Sequence, residues 1–165
     1  MIRFVIIQLA FLTVALAENI VTHNCSSAAQ NFSMSHLSVD HLPIKIGNNV
    51  TINFDAKSLM NVQEGTKVEV SVTYILFTLS CSNYEKFCFD VCKIVKEGSV
   101  DCLINGQPCK RCPIKPGNVQ VRHLVVETPS VPLLPDAKVT ITVQAFDPKG
   151  NLLGCVKADN VPVSK

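Results

Sequence analysis

Eight cysteines constrain this chain more than any other feature: Cys25, Cys81, Cys88, Cys92, Cys102, Cys109, Cys112 and Cys155. Their number is even, and what they can do depends on the compartment they reach. The chain opens MIRFVIIQLAFLTVALAENI, with Arg3 ahead of an apolar run and Ala15-Leu16-Ala17 ahead of Glu18. A cationic start, a short apolar stretch and a small-x-small site predict a secretory signal peptide over residues 1–17, cleaved after Ala17. The run is shorter than the ~20 residues of a bilayer-spanning helix. Residues 18–165 are therefore expected to form one exported, soluble domain. In an oxidising lumen an even set of cysteines reads as a disulfide framework.

The stretch CKRCP, Cys109 to Pro113, has rival readings. Two cysteines separated by two residues suit a redox dithiol, half of a zinc site completed by Cys88 and Cys92, or two structural half-cystines. Pro108 and Pro113 bracket the motif and Pro116-Gly117 follows, so no helix starts there, as a redox dithiol requires. A thiolate zinc site has to escape oxidation during export. Structural half-cystines are the favoured reading, and no metal is expected.

Alternation points to strands. NVTINF places Val50, Ile52 and Phe54 on one face. TKVEVSVTY does the same with Val68, Val70 and Val72, before the pattern dissolves between Tyr74 and Leu79. AKVTITVQAF sets Val139, Ile141, Val143 and Ala145 together. VQVRHLVVE reads as a weaker strand around Val119, Val121 and Val125, and NLLGCVKADNVPV as a last strand after the turn DPKGN. Pro and Gly punctuate these runs, so the expected class is an all-β sandwich. The one helical candidate is YEKFCFDVCKIV, with Cys88 and Cys92 four apart beside Phe87, Val91 and Val95.

Chemistry finds little purchase. There is no G-x-S-x-G, no H-E-x-x-H and no glycine-rich phosphate loop, so no catalytic residue and no cofactor are expected. The formal net charge is +2, or about +1 without Arg3, with no basic run, which argues against nucleic acid. His23, His36, His41 and His123 add positive charge in an acidic compartment. Asn31-Phe32-Ser33 and Asn49-Val50-Thr51 are glycosylation acceptors on an exported chain. The positive signal is apolar residues in connections: Leu59-Met60, Ile75-Leu76-Phe77, and Val131 with Leu133 and Leu134. They read either as edge-of-core packing or as a rim that meets lipid.

Taken in order, NC near the expected mature N-terminus, CPIKPG leading into a strand, and DPKGNLLGCVKA with its late cysteine resemble the ML (lipid-recognition) superfamily. The eight-cysteine order, through CSNYEKFCFDVC, DC, PCKRCPIKPG and LGCVKA, is similar to its ganglioside-activator branch, which serves a lysosomal β-hexosaminidase. The resemblance implies an immunoglobulin-like β-sandwich opened into a β-cup with an apolar lipid cavity, one short helical turn and four disulfides. The implied bridges are Cys25–Cys155, Cys81–Cys88, Cys92–Cys112 and Cys102–Cys109, and Asn49 falls at that branch's glycosylation acceptor.

In such a cup the candidate cavity walls are Val50, Ile52, Phe54, Val70, Val72, Tyr74, Val121, Val139, Ile141 and Val143. The candidate membrane rim is Leu59, Met60, Ile75, Leu76, Phe77, Val131, Leu133 and Leu134. The implied role is non-enzymatic. The protein extracts a ganglioside-like glycosphingolipid or a phospholipid from a transient membrane surface and presents it to a β-hexosaminidase-type glycosidase. It would act as a secreted protein, in the lysosomal lumen, or both. A sterol or general lipid carrier of the same fold is the rival. Two departures weigh against the ganglioside branch: shorter segments between Lys67 and Cys81 and between Cys102 and Cys109, and no tryptophan for the rim.

Overall fold

The computed structural model describes residues 18–25, 31–75, 77–131 and 137–165. The expected signal peptide and the expected rim residues Leu76, Leu133 and Leu134 lie outside the described residues. In chain order the strands are β1 (Glu18–Asn19), β2 (His23–Asn24), β3 (Phe32–Val39), β4 (Ile44–Lys45), β5 (Asn49–Ser58), β6 (Lys67–Tyr74), β7 (Phe77–Leu79) and β8 (Cys88–Asp90). Helix α1 (Val91–Glu97) follows, then β9 (Asp101–Ile104), β10 (Gln107–Pro108), β11 (Gly117–Glu127), β12 (Ala137–Phe146) and β13 (Leu152–Ser164). One sheet runs β1-β3-β5-β11-β9-β10 and the other β2-β13-β12-β6-β7. Within these paths all pairings are antiparallel. Among the described residues the fold is an all-β sandwich with one short α-helix and four disulfides.

Strands with clean alternation formed where expected. The dissolving pattern after Tyr74 is a reversal of the chain: Ile75 takes a positive φ of 53° and β7 folds back on β6 with Tyr74 opposite Phe77. Two strands depart from strict alternation for the same reason. β3 carries apolar residues at Phe32, Met34, Leu37 and Val39, and its register on β5 slips between Met34 and His36. β11 slips between Val121 and Leu124, where Arg122 and His123 bulge out and His123 adopts a φ of 57°. A bulge reverses which residues face inward. Val125, grouped from sequence with Val119 and Val121, is thereby turned outward and is 54 % exposed, while Val126 is buried.

The expected helix over 84–95 is displaced. Glu85–Phe87 is a single 3-10 turn, Cys88 begins β8, and α1 starts only at Val91. The Asp90 carboxylate accepts the Lys93 N–H at 3.0 Å as an N-cap, and Gly98 closes the helix at a φ of 67°. Cys88 therefore belongs to a strand, not to the helix face with Cys92.

The eight cysteines pair as Cys25–Cys155, Cys81–Cys88, Cys92–Cys112 and Cys102–Cys109. CKRCP is thus two half-cystines with different partners. Cys25–Cys155 fastens the segment after β2 to β13, and on the same side β13 comes against β3. A Cβ on Gly154 in β13 would stand 2.8 Å from the Phe32 carbonyl oxygen, so only glycine lets the two sheets close there.

The β12–β13 turn is organised by Asp147. Its Oδ1 accepts the Lys149 and Asn151 backbone N–H groups at 2.8 Å, and its Oδ2 accepts the Asn151 side-chain amide at 2.7 Å. The Asn151 amide, and then its backbone N–H, hold the Asp147 carboxyl below the usual carboxylate range. A depressed folded-state pKa gives stabilisation that is present above the unfolded value of about 3.9 and is lost as pH falls through the folded one. The turn therefore stays intact at the pH of an acidic lumen. Thermal melts of Asp147→Ala should fall below wild type from pH 5 to 7, with the gap narrowing as pH falls below about 4, the unfolded value. A gap independent of pH would refute this.

Candidate apolar cavity

The interior between the sheets is not filled. In a close-packed sandwich the most central inward residues are the most buried. Here Ile52, Phe54, Val70, Val72, Tyr74, Ile141 and Val143 point inward yet are only half-buried, because they face open space. Val50 and Val139, by contrast, are 3 % exposed and Val121 is 8 % exposed. They form the packed part of the same wall.

That space has two adjoining compartments. The volume in which a water-sized sphere can be centred is about 240 Å³ in the larger and about 110 Å³ in the smaller. Ile44, Ile52, Val70, Val126 and Ile141 line both and form the waist between them. All ten residues expected to line a cavity lie on these walls: Phe54, Val121 and Val143 on the larger side; Val50, Val72, Tyr74 and Val139 on the smaller; Ile52, Val70 and Ile141 at the waist. Sequence reasoning missed Met34, Leu37, Phe89, Val91, Ile94 and Ile114, which also line the larger side. The first two sit on the strand whose alternation is broken by a bulge.

The lining is hydrocarbon, and two of its hydroxyls are engaged elsewhere. Ser58 Oγ donates to the Met60 carbonyl at 2.8 Å, and Thr128 Oγ1 lies 3.0 Å from the Lys45 carbonyl and 2.8 Å from that of Asn48. The other polar side chains on the walls are Asn31, Thr66 and Tyr74. Apolar cavities of about 150 Å³ stay dry and take up small hydrocarbons.

The expected rim does not gather into one patch. Phe77 and Val131 border the smaller compartment, with Phe77 49 % exposed and its neighbour Ile75 71 % exposed. Met60 borders the larger compartment, and Leu59 beside it is 58 % exposed. Val50 at one end of β5 lines the smaller space, and Leu59 lies nine residues on, about 30 Å away at ~3.3 Å per residue. The apolar residues therefore mark two opposite ends. At the Ile75 end, Lys86 of the 3-10 turn bonds Glu127 at the end of β11, while Phe87 packs edge-on against Tyr84 at 4.8 Å. At the Leu59 end, α1, the Cys92–Cys112 bond and the Val62–Ile114 bridge form the cover.

Asn49 is exposed at the start of β5, whereas Asn31 is half-buried on the wall of the larger compartment. The histidines are dispersed. His23 lies 3.5 Å from Asp159, His41 2.8 Å from Asp40 and His123 2.7 Å from Asp101, while His36 is exposed on β3. Among the described residues no cluster of His, Cys, Asp and Glu is arranged to hold a metal ion, and no helix is long and apolar enough to cross a membrane.

The fold resembles a Niemann-Pick type C2 protein from the Japanese carpenter ant, at 15 % identity and a TM-score of 0.50, over 87 % of this chain and 97 % of that one. A weaker likeness, at 7 % identity and a TM-score of 0.46, links 88 % of this chain to 78 % of the C-terminal domain of wzt. No curated protein matches the chain. The profile of the ML domain matches residues 19–161, nearly the whole length of the sandwich, and the chain belongs to the ML domain family.

Proposed function

We propose that this protein binds lipid, taking hydrocarbon tails between its two sheets and leaving the polar head at a mouth. It carries or presents the lipid without chemistry. One observation supports this above all: an apolar space runs along the sandwich and ends at exposed Leu59 on one side and at Ile75 and Phe77 on the other. Keeping a tail out of water is worth ~0.8 kcal/mol per CH₂, so eight sequestered methylenes offset about 6 kcal/mol of exposure during transit. The wall is almost wholly hydrocarbon, so selection falls mainly on tail shape.

The finer reading is an exported, lysosomal activator that lifts a glycosphingolipid to a β-hexosaminidase-type glycosidase. It is supported by the order of the eight cysteines and their four bonds. The second reading, a sterol or general lipid carrier, is favoured by the almost wholly hydrocarbon wall. Native mass spectrometry of protein from its own source, with identification of the lipid carried, separates them. Protein that arrives empty and that, once delipidated, takes up no fluorescent fatty acid overturns the lipid-binding proposal. Ganglioside cleavage by β-hexosaminidase that is unchanged by the protein removes the activator reading alone.

A further inference from the structure

We propose that the α1 end of the molecule docks on an anionic lipid bilayer through a cationic face of Lys93, Lys96, Lys110, Arg111 and Lys115, an inference that rests on the lipid-binding reading above. Residues 91–116 hold these five cations and two acids, Glu97 and Asp101, for a formal charge of +3. The rest of the chain after residue 17 holds nine cations and eleven acids, for −2. The sequence does not display this pole as a run; the fold assembles it. The Cys92–Cys112 bond sets its two Cα atoms 5.7 Å apart, which brings Lys93 beside Arg111. Cys92 and Val95 turn inward from α1, leaving Lys93 and Lys96, three apart, on its outer face.

All five cations are exposed, and none takes part in an ion pair among the described residues. The nearby acids are fewer: Glu64, Glu97, Asp101, which pairs with His123, and Asp90, whose carboxylate accepts the Lys93 N–H.

What lies beneath this face names the partner. Val62 bridges Ile114, next to Lys115, and Leu59, three residues before Val62, is 58 % exposed. Met60 borders the larger compartment, and Val91, Ile94, Val95 and Ile114 line it from inside. An exposed apolar residue among unpaired cations, over the end of a hydrocarbon-lined space, complements a surface with negative heads and an apolar interior. That describes an anionic bilayer. An acidic protein would match the charge and leave Leu59 and the cavity end without a role. The opposite end lacks the excess: its Lys86 is already paired with Glu127.

The test is flotation of the full oxidised protein with vesicles of phosphatidylcholine alone and with about a third phosphatidylserine, at low salt. Each basic residue near such a surface strengthens binding about fivefold, and about 0.5 M NaCl screens the attraction. Wild type should bind the anionic vesicles and release in salt. Lys93→Glu/Lys110→Glu/Arg111→Glu should bind at least tenfold more weakly, with an unchanged melting temperature and unchanged uptake of monomeric fluorescent fatty acid. Lys45→Glu/Lys138→Glu, at the other end, should bind like wild type.

The proposal is overturned if wild type ignores anionic vesicles, if the triple variant binds them normally, or if the Lys45/Lys138 variant shows the loss. Protein that ignores vesicles but binds polyglutamate in a salt-sensitive manner assigns the face to an acidic protein instead. Intact vesicle binding without fatty-acid uptake overturns the lipid-cargo reading and leaves the docking face standing.

Discussion

Ile141→Trp should weaken lipid uptake at least tenfold while leaving the protein as stable as wild type, or more so. Ile141 lines both compartments and sits across the waist from Ile52. In a filled core a larger side chain forces its neighbours off their rotamers and costs about 1–3 kcal/mol. In a void the same indole finds empty volume and gains contact with the wall. The two cases are thus told apart by one variant and two measurements. Titration with a fluorescent fatty acid should lose at least tenfold in affinity, and the melting temperature should hold or rise. A fall in melting temperature with uptake intact would mean that the interior is packed solid at Ile141 and that ligand, if any, binds elsewhere.

Removing Cys25–Cys155 should be the most damaging change to a single disulfide. The bond closes a separation of 130 residues, against 7 for Cys102–Cys109. Loop entropy assigns about 5 kcal/mol to the first and about 2 kcal/mol to the second. For a domain of about 150 residues, each kcal/mol moves the melting temperature by about 2–4 °C. Cys25→Ser/Cys155→Ser should therefore melt some 10–20 °C lower, and Cys102→Ser/Cys109→Ser by less than half as much. Calorimetry of both double variants under oxidising conditions checks the ranking. Equal losses would show that these bonds act through local native geometry and not through the unfolded chain.

How much of this was legible in the sequence depends on what alternation encodes. β5, β6 and β12 announced themselves because Val50, Ile52 and Phe54, or Val139, Ile141 and Val143, keep strict period two. β3 did not, since the slip after Met34 moves its apolar set from even to odd positions. α1 was displaced because Cys88 and Cys92, with Phe87, Val91 and Val95, imitate a helix face across what is a strand followed by a helix. Alternation also says only that a side chain points inward. It cannot distinguish Val139, packed against neighbours, from Ile141, which faces space, because that depends on how far apart the sheets stand. The exposed apolar residues were visible one by one, but their division between two ends follows from the length of β5. The cationic pole was invisible for a related reason: its members are scattered over more than twenty residues and meet only through Cys92–Cys112.

The contact at Gly154 carries a mechanical meaning. With Cys25–Cys155 beside it, one flank of the molecule is a spine, sewn by sulfur and too tight for even a methyl group. The opposite flank is tied by sulfur only at the α1 end, through Cys92–Cys112, and at its other end by the solvent-exposed Lys86–Glu127 pair. Cargo larger than the resting cavity would then part the leaves at the Lys86 corner, the one farthest from both sulfur bonds and from the glycine.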